Sequence, residues 1–339
     1  MRRLILLTVA IALAATTAQA AGYRAPRTSS GAPDLQGIWT NASLTFLQRP
    51  PIFKGLVATD AEEAMMVGGF KKMAGNLLDP TSDPKAPAPP KVDEAPQADI
   101  LEMPLALAKV DGQKRSSWIV DPKDGKIPFS VVGRAARKVA VAESYDGPEG
   151  RPLSERCLVA VGSPEGPPMM NTGFNANYQI IQTRDYVAIE IEMNHDVRII
   201  RMTDRKHVPD AIRPWMGDSV GWWDGDTLVV ETTNLNPKTS IDALFGGFNY
   251  SPKGRLIERF TRVSPTEMIY EFTVDDPAYF TRTWSAQMPM RATNGPIYEY
   301  ACHEGNYSLP NALSGARAEE RAAAAAPGPA APAKVARAR

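Results

Sequence analysis

From Asn177 onward, apolar and polar residues alternate with period two, and turn residues recur at short intervals. The pattern predicts strands over 177–183, 185–192, 196–202, 219–223, 226–233, 254–262, 266–274, 281–287 and 297–302. Rows of every second residue stand out in Leu256, Glu258, Phe260 and Arg262, and again in Met268, Tyr270, Phe272 and Val274. Charges in such rows face either solvent or a lined barrel interior. Arg184-Asp185 and Asn194-His195 mark tight reversals, Asp224-Gly225 is a strong two-residue hairpin signal, and Ser264-Pro265-Thr266 turns the next pair. Successive hairpins predict a mainly β fold, an antiparallel meander. With an earlier strand at Trp39 there are enough strands to close a barrel and leave no exposed edge.

The first half of the chain is less regular. Thr59-Asp60-Ala61-Glu62 is a capping box, so a helix starts near Asp60. Residues 79–100 are Pro-rich and read as a surface loop. Residues 115–130 predict a short strand, a turn at Asp121-Pro122-Lys123-Asp124-Gly125 and an extended exit, and 131–143 a short helix. Leu309 to Ala326 is a helix former, and 323–339 reads as a disordered, low-complexity tail.

At the other end, Arg2 and Arg3 precede a short apolar run, and Ala18-Gln19-Ala20 has the small-x-small form of a cleavage site. Residues 1–20 therefore read as a secretory signal, and 21–33 as a polar, flexible leader. The apolar run is too short for an ordinary span and none follows it. The expectation is a periplasmic or secreted protein with one domain over 34–322.

Lys and Arg total 38, as do Asp and Glu. Loss of Arg2 and Arg3 with the signal leaves the mature chain slightly acidic, which argues against a nucleic-acid or anionic-membrane partner. The expected partner is a small-molecule substrate or ligand. Cys157 and Cys302 are the two cysteines. In an oxidising compartment an even pair is most simply a disulfide, with two buried thiols as the alternative.

Candidate chemistry centres on the histidines, which number three: His195, His207 and His303. His195 lies in a turn after Glu192, and His303 follows Cys302 and precedes Glu304. An imidazole with an ordinary pKa near 6.5 is a ready proton shuttle when paired with a carboxylate. His195 with Asp218 or Glu231, and His303 with Glu304, are the candidate pairs. Asp226 reads instead as a residue flanking the Asp224-Gly225 turn. His195, His303, Glu192 and Glu304 also offer a two-His, carboxylate set for a divalent metal, but in no recognised ligand spacing. There is no nucleophile elbow, Rossmann loop or P-loop, so the expected chemistry needs no organic cofactor.

Aromatics gather in the second half. Trp222 and Trp223 are adjacent, so on a strand they point to opposite faces. Trp215, Trp222, Tyr178 and Tyr307 are candidates for a ligand wall, with Arg198 or Arg213 orienting an anionic group.

Gly37-Ile38-Trp39 resembles the opening strand of lipocalin-type barrels, in which a tryptophan closes the barrel bottom and often packs on an arginine from a late strand. Longer segments resemble a largely uncharacterised family of exported bacterial proteins. They include SERCLV (154–159), EMNHDVRII (192–200), RPWMGDSVGWWDGDTLVVETTNL (213–235) and YEYACHEGNYSLPNALSGARAEE (298–320). The resemblance implies one compact unit from Asp34 to about residue 322 and brings no reaction with it. The expected fold is thus a lipocalin-like barrel with peripheral helices and long loops. The expected function is acid–base catalysis (lyase, isomerase, hydratase or hydrolase) on a small hydrophobic, aromatic or glycosidic molecule. The alternative is a periplasmic carrier of a hydrophobic small molecule.

Overall fold

The computed structural model describes residues 23–77, 104–140, 144–243 and 246–325. The signal sequence, the Pro-rich stretch at 79–100 and the tail beyond residue 325 lie outside the described residues.

In chain order, strand β1 (Gly37–Thr40) is followed by helix α1 (Asp60–Leu77), strands β2 (Lys109–Val110), β3 (Gln113–Lys114) and β4 (Ile119–Asp121), and helix α2 (Val131–Ala140). Then come β5 (Asn177–Gln182), β6 (Tyr186–Ile191), β7 (Val197–Arg201), β8 (Asp218–Asp224), β9 (Thr227–Thr233), β10 (Ser240–Ala243) and β11 (Gly246–Asn249). The last elements are β12 (Arg255–Arg262), β13 (Glu267–Asp275), β14 (Trp284–Ala292) and helix α3 (Ser308–Ala325).

Nine of these strands close a barrel in the order β1-β5-β6-β7-β8-β9-β12-β13-β14, and Trp39 opposite Ala292 completes the ring. β4 pairs with the start of β14, on the edge that β1 takes farther along. The mainly β, closed-barrel expectation is met, and most neighbours are the expected antiparallel hairpins. The meander breaks at one step: β7 and β8 run parallel, with Ile200 opposite Ser219. Residues 202–217 carry Pro209 and Pro214 and are too long for a tight reversal. They form a crossover, the connection a parallel pair requires.

Alternation sorts the barrel residues. Tyr178, Ile180, Ile189, Ile191, Ile200, Val230, Leu256, Phe260, Tyr270, Phe272 and Met288 all belong to one buried core. The barrel centre also holds an ion pair. Arg198 donates to both oxygens of Glu258 at 3.0 and 2.6 Å, and the Tyr270 hydroxyl donates to Oε1 at 2.6 Å. Burial disfavours the Arg198 charge, but Glu258 more than compensates and raises its pKa. Met169 and Met170 are fully buried in this core, and the Met169 N–H donates to the Tyr270 hydroxyl. The interior is packed with side chains.

At one end, the Trp39 indole donates to the Leu35 carbonyl at 2.9 Å, and the Arg262 guanidinium of β12 lies 5.4 Å from its ring centroid. Trp223 packs on the core, while Trp222, on the opposite face of β8, lies beneath Arg205 of the crossover at 3.9 Å.

The capping box forms as its spacing predicts. Glu62 N–H donates to Thr59 Oγ1 at 3.2 Å, and Thr59 N–H to Glu62 Oε2 at 2.8 Å. In the leader, residues 23–33 make a turn closed by an Arg27–Pro33 bridge and tied to the barrel by the Arg27–Asp226 ion pair. The strand expected at 297–302 is absent. Side chains hold that segment in place: Glu192 accepts from Tyr298 N–H at 3.1 Å, and His195 Nδ1 lies 3.1 Å from the Tyr300 carbonyl. Backbone groups engaged in this way make no ladder. Cys157 and Cys302 form the disulfide, with Cα atoms 5.7 Å apart. Helix α3 continues through Ala325, past the point where the tail was expected to begin.

Candidate functional site

The crossover lays His207 against the outer wall of the barrel. Its Nδ1 lies 2.8 Å from Asp218 Oδ2, and its Nε2 lies 3.1 Å from Glu231 Oε1. Asp218 opens β8, and Glu231 sits on neighbouring β9 opposite Val220. The turn that delivers Asp218 depends on Gly217. Its φ is +67°, and a Cβ there would stand 2.7 Å from the Thr233 carbonyl.

Asp218 is saturated with donors. Besides His207 it accepts from Arg201 at 2.6 and 3.0 Å and from Val208 N–H at 3.1 Å. Burial pushes its pKa up, but the hydrogen bonds from Arg201, His207 and Val208 outweigh that and hold it at about 2. An ionised, fully used carboxylate is an orienting group. It pins His207 Nδ1 and leaves Nε2 turned toward Glu231. Each ring nitrogen thus meets a carboxylate oxygen.

The far side of Glu231 is tied as well. Arg255 donates to Glu231 Oε2 and to Asp275 Oδ2, each at 3.1 Å. Burial opposes the Arg255 charge, and the two carboxylates raise its pKa. The crossover itself is clamped by Asn234, whose amide lies 3.1, 3.0 and 3.0 Å from the carbonyls of Val208, Pro209 and Ile212. Beside these groups lies a cleft of about 490 Å³ at the barrel rim, lined by His207, Arg213, Asn234, Lys253, Arg255 and Asp275 among others. That volume suits a small molecule.

The residues expected to act divide between two places. Arg213 lines the rim cleft, and Asp218 stands behind it, in contact with the lining residue His207. Glu231 likewise meets the lining residues His207 and Arg255, and is paired with His207 and not with His195. His195 is exposed in the β6–β7 turn. Glu192 is buried, and its carboxylate is taken by Asn177 at 2.7 Å and by Tyr298 N–H. His303 and Glu304 are exposed beyond the disulfide. Thus the His195 and Cys302-His303 segments meet each other, and no described contact joins them to Asp218.

Of the expected ligand wall, Tyr178 is wholly buried, with burial driving its phenol pKa up, and Tyr307 is exposed. Trp215 is half-buried, and its carbonyl accepts from Thr239. Trp222 faces Arg205, and Arg198 is committed to Glu258. Among the described residues no group of three or more His, Cys, Asp or Glu side chains is placed to hold a metal, the His195, His303, Glu192 and Glu304 set included.

His207 is the residue that sequence reasoning leaves without a role. It stands eleven positions before Asp218 and twenty-four before Glu231. Neither spacing is a motif, because a crossover and a hairpin create the contact. No family model, curated protein or solved structure matches the chain. Function therefore has to be argued from the barrel and the cleft.

Proposed function

We propose that this protein is an exported enzyme that transfers a proton on a small polar substrate held in the rim cleft, without an organic cofactor. The observation that carries the reading is the Asp218–His207–Glu231 line, with contacts of 2.8 and 3.1 Å, beside a cleft of about 490 Å³. Asp218 orients the ring. His207 Nε2 and Glu231 exchange the proton with a substrate that inserts at their contact. Arg213 and Lys253 offer donors, and Asp210 and Asp275 offer acceptors, to a hydroxyl-rich molecule. Of the hydrophobic, aromatic and glycosidic substrates expected from the sequence, the glycosidic class suits this lining. Lyase, isomerase, hydratase and hydrolase reactions all use such a pair. Export rests on the signal-like first twenty residues and is supported by the Cys157–Cys302 disulfide.

The test is a turnover screen of the mature protein against glycosides, uronates and hydroxy acids, run beside His207→Gln and Glu231→Gln. A substrate turned over by the wild type should lose about 10²–10⁴-fold in kcat/KM in each variant, with the fold retained by circular dichroism. Equal turnover by wild type and His207→Gln would overturn the reading. The carrier alternative finds no support in the barrel interior, which is filled, but finds some in a groove elsewhere on the molecule.

A further inference from the structure

A second concavity lies far from the rim cleft in composition and shares no lining residue with it. Helix α1 packs beside the segment 46–52, and between them is a groove of about 440 Å³. Phe46, Ile52, Met65, Met66 and Phe70 make its walls. Met side chains adapt to ligands of irregular shape, and a groove of this size and lining favours an apolar body.

One end of this apolar groove is cationic. Arg49 and Lys126 both line it. Arg49 is only 8% exposed, yet among the described residues it has no carboxylate partner. Its NH1 donates to the Lys123 carbonyl at 2.9 Å, and its Nε has no hydrogen-bond partner. Lys126 spends one donor on the Arg49 carbonyl at 2.6 Å and likewise has no described carboxylate partner. A buried cation without a counter-charge is costly, and an arriving carboxylate supplies the counter-charge that Arg49 lacks.

We infer that the groove between α1 and residues 46–52 binds a hydrophobic monocarboxylate, its apolar body along Phe46, Met66 and Phe70 and its carboxylate on Arg49 and Lys126. This site stands independently of the acid–base reading of the rim cleft. It also has a built-in control. Gly69 lines the groove in mid-helix, and a Cβ there meets nothing within 4 Å. A larger side chain at this position enters open space without a clash and raises helix propensity.

Decanoate and 2-naphthoate are the probes, titrated calorimetrically into the mature protein, with decanol as the control for body without charge and acetate for charge without body. At least one of the two hydrophobic carboxylates should bind, more tightly than either decanol or acetate. Arg49→Gln and Lys126→Gln should each weaken it by about ten- to hundredfold. Gly69→Leu should abolish binding while the melting temperature holds, so a folding defect in Arg49→Gln does not decide the outcome. His207→Gln should leave binding unchanged. The inference is overturned if neither carboxylate binds, if decanol binds as well as decanoate, or if Gly69→Leu binds like the wild type.

Discussion

Asp218→Asn tests the electrostatic core of the rim cleft without reference to any substrate. The change keeps the side chain's size and removes its charge. In the folded protein the carboxyl pKa is lowered from an ordinary 3.8 to about 2. One pKa unit corresponds to about 1.4 kcal/mol, so the ionised group stabilises the fold by roughly 2.5 kcal/mol at neutral pH. The side chain is only 7% exposed, so solvent screening takes little from that figure. Unfolding entropy of about 2.1 cal/mol/K per residue, over roughly 300 residues, converts this into a drop of about 4 °C in Tm. The sign follows from the lowered pKa. The contribution is complete above the unfolded value near 4, shrinks as pH falls, and is gone below about 2. Melts of wild type and variant at pH 7, 5, 4 and 3 should therefore show a constant gap down to pH 5 and a closing gap below pH 4. A gap under 1 °C at pH 7 would refute the reasoning, as would one that stays the same from pH 7 to pH 3.

Three further outcomes follow from packing and connectivity. Replacing both cysteines by serine opens a link spanning 145 residues and should cost up to about 5 kcal/mol in urea unfolding, by the chain-entropy account. Glu258→Ala strands Arg198 inside the barrel and should cost about 3–5 kcal/mol. The double change Arg198→Met with Glu258→Leu should recover most of that loss, again by urea melts. Gly217→Ala forces a Cβ against the Thr233 carbonyl at a φ of +67° and should destabilise by more than about 1 kcal/mol. It should also shift the His207 ring resonances, because Asp218 follows directly.

The barrel was legible because hairpin strands write their own registers. Tyr178, Ile180, Ile189 and Ile191 alternate cleanly, and the β8–β9 hairpin lies where it was expected, but its turn is one residue later: Asp224 pairs with Thr227, and Gly225-Asp226 make the reversal. Side chains that substitute for ladder partners are not legible in this way, so residues 297–302 look like a strand and are not one. The β10–β11 hairpin was missed for a related reason: strands of four residues, one of them opening on two glycines, carry little alternation. For the site, Asp218 and Arg213 could be named because they sit in a dense stretch of aromatics and carboxylates. His207 could not, since its partners lie on two strands and its own segment, rich in charge and proline, has no periodicity. His195 and His303 attracted attention through local motifs, and the fold uses the segments around them to anchor the chain's C-terminal part.

The parallel step between β7 and β8 has a cause in counting. Around a closed ring, every antiparallel neighbour reverses the strand direction, and the direction must return to itself after a full circuit. A ring with an odd number of members cannot do this by reversals alone, so a nine-membered one must contain an odd number of parallel contacts. This barrel has one, between β7 and β8. A parallel contact in turn requires the chain to travel back along the wall before the next strand begins, and here that return is residues 202–217. The histidine of the rim cleft rides on this return path. Parity of the ring thus supplies the surface segment on which the proposed chemistry is mounted, and an even-membered relative closed by hairpins alone would have no equivalent place to carry it.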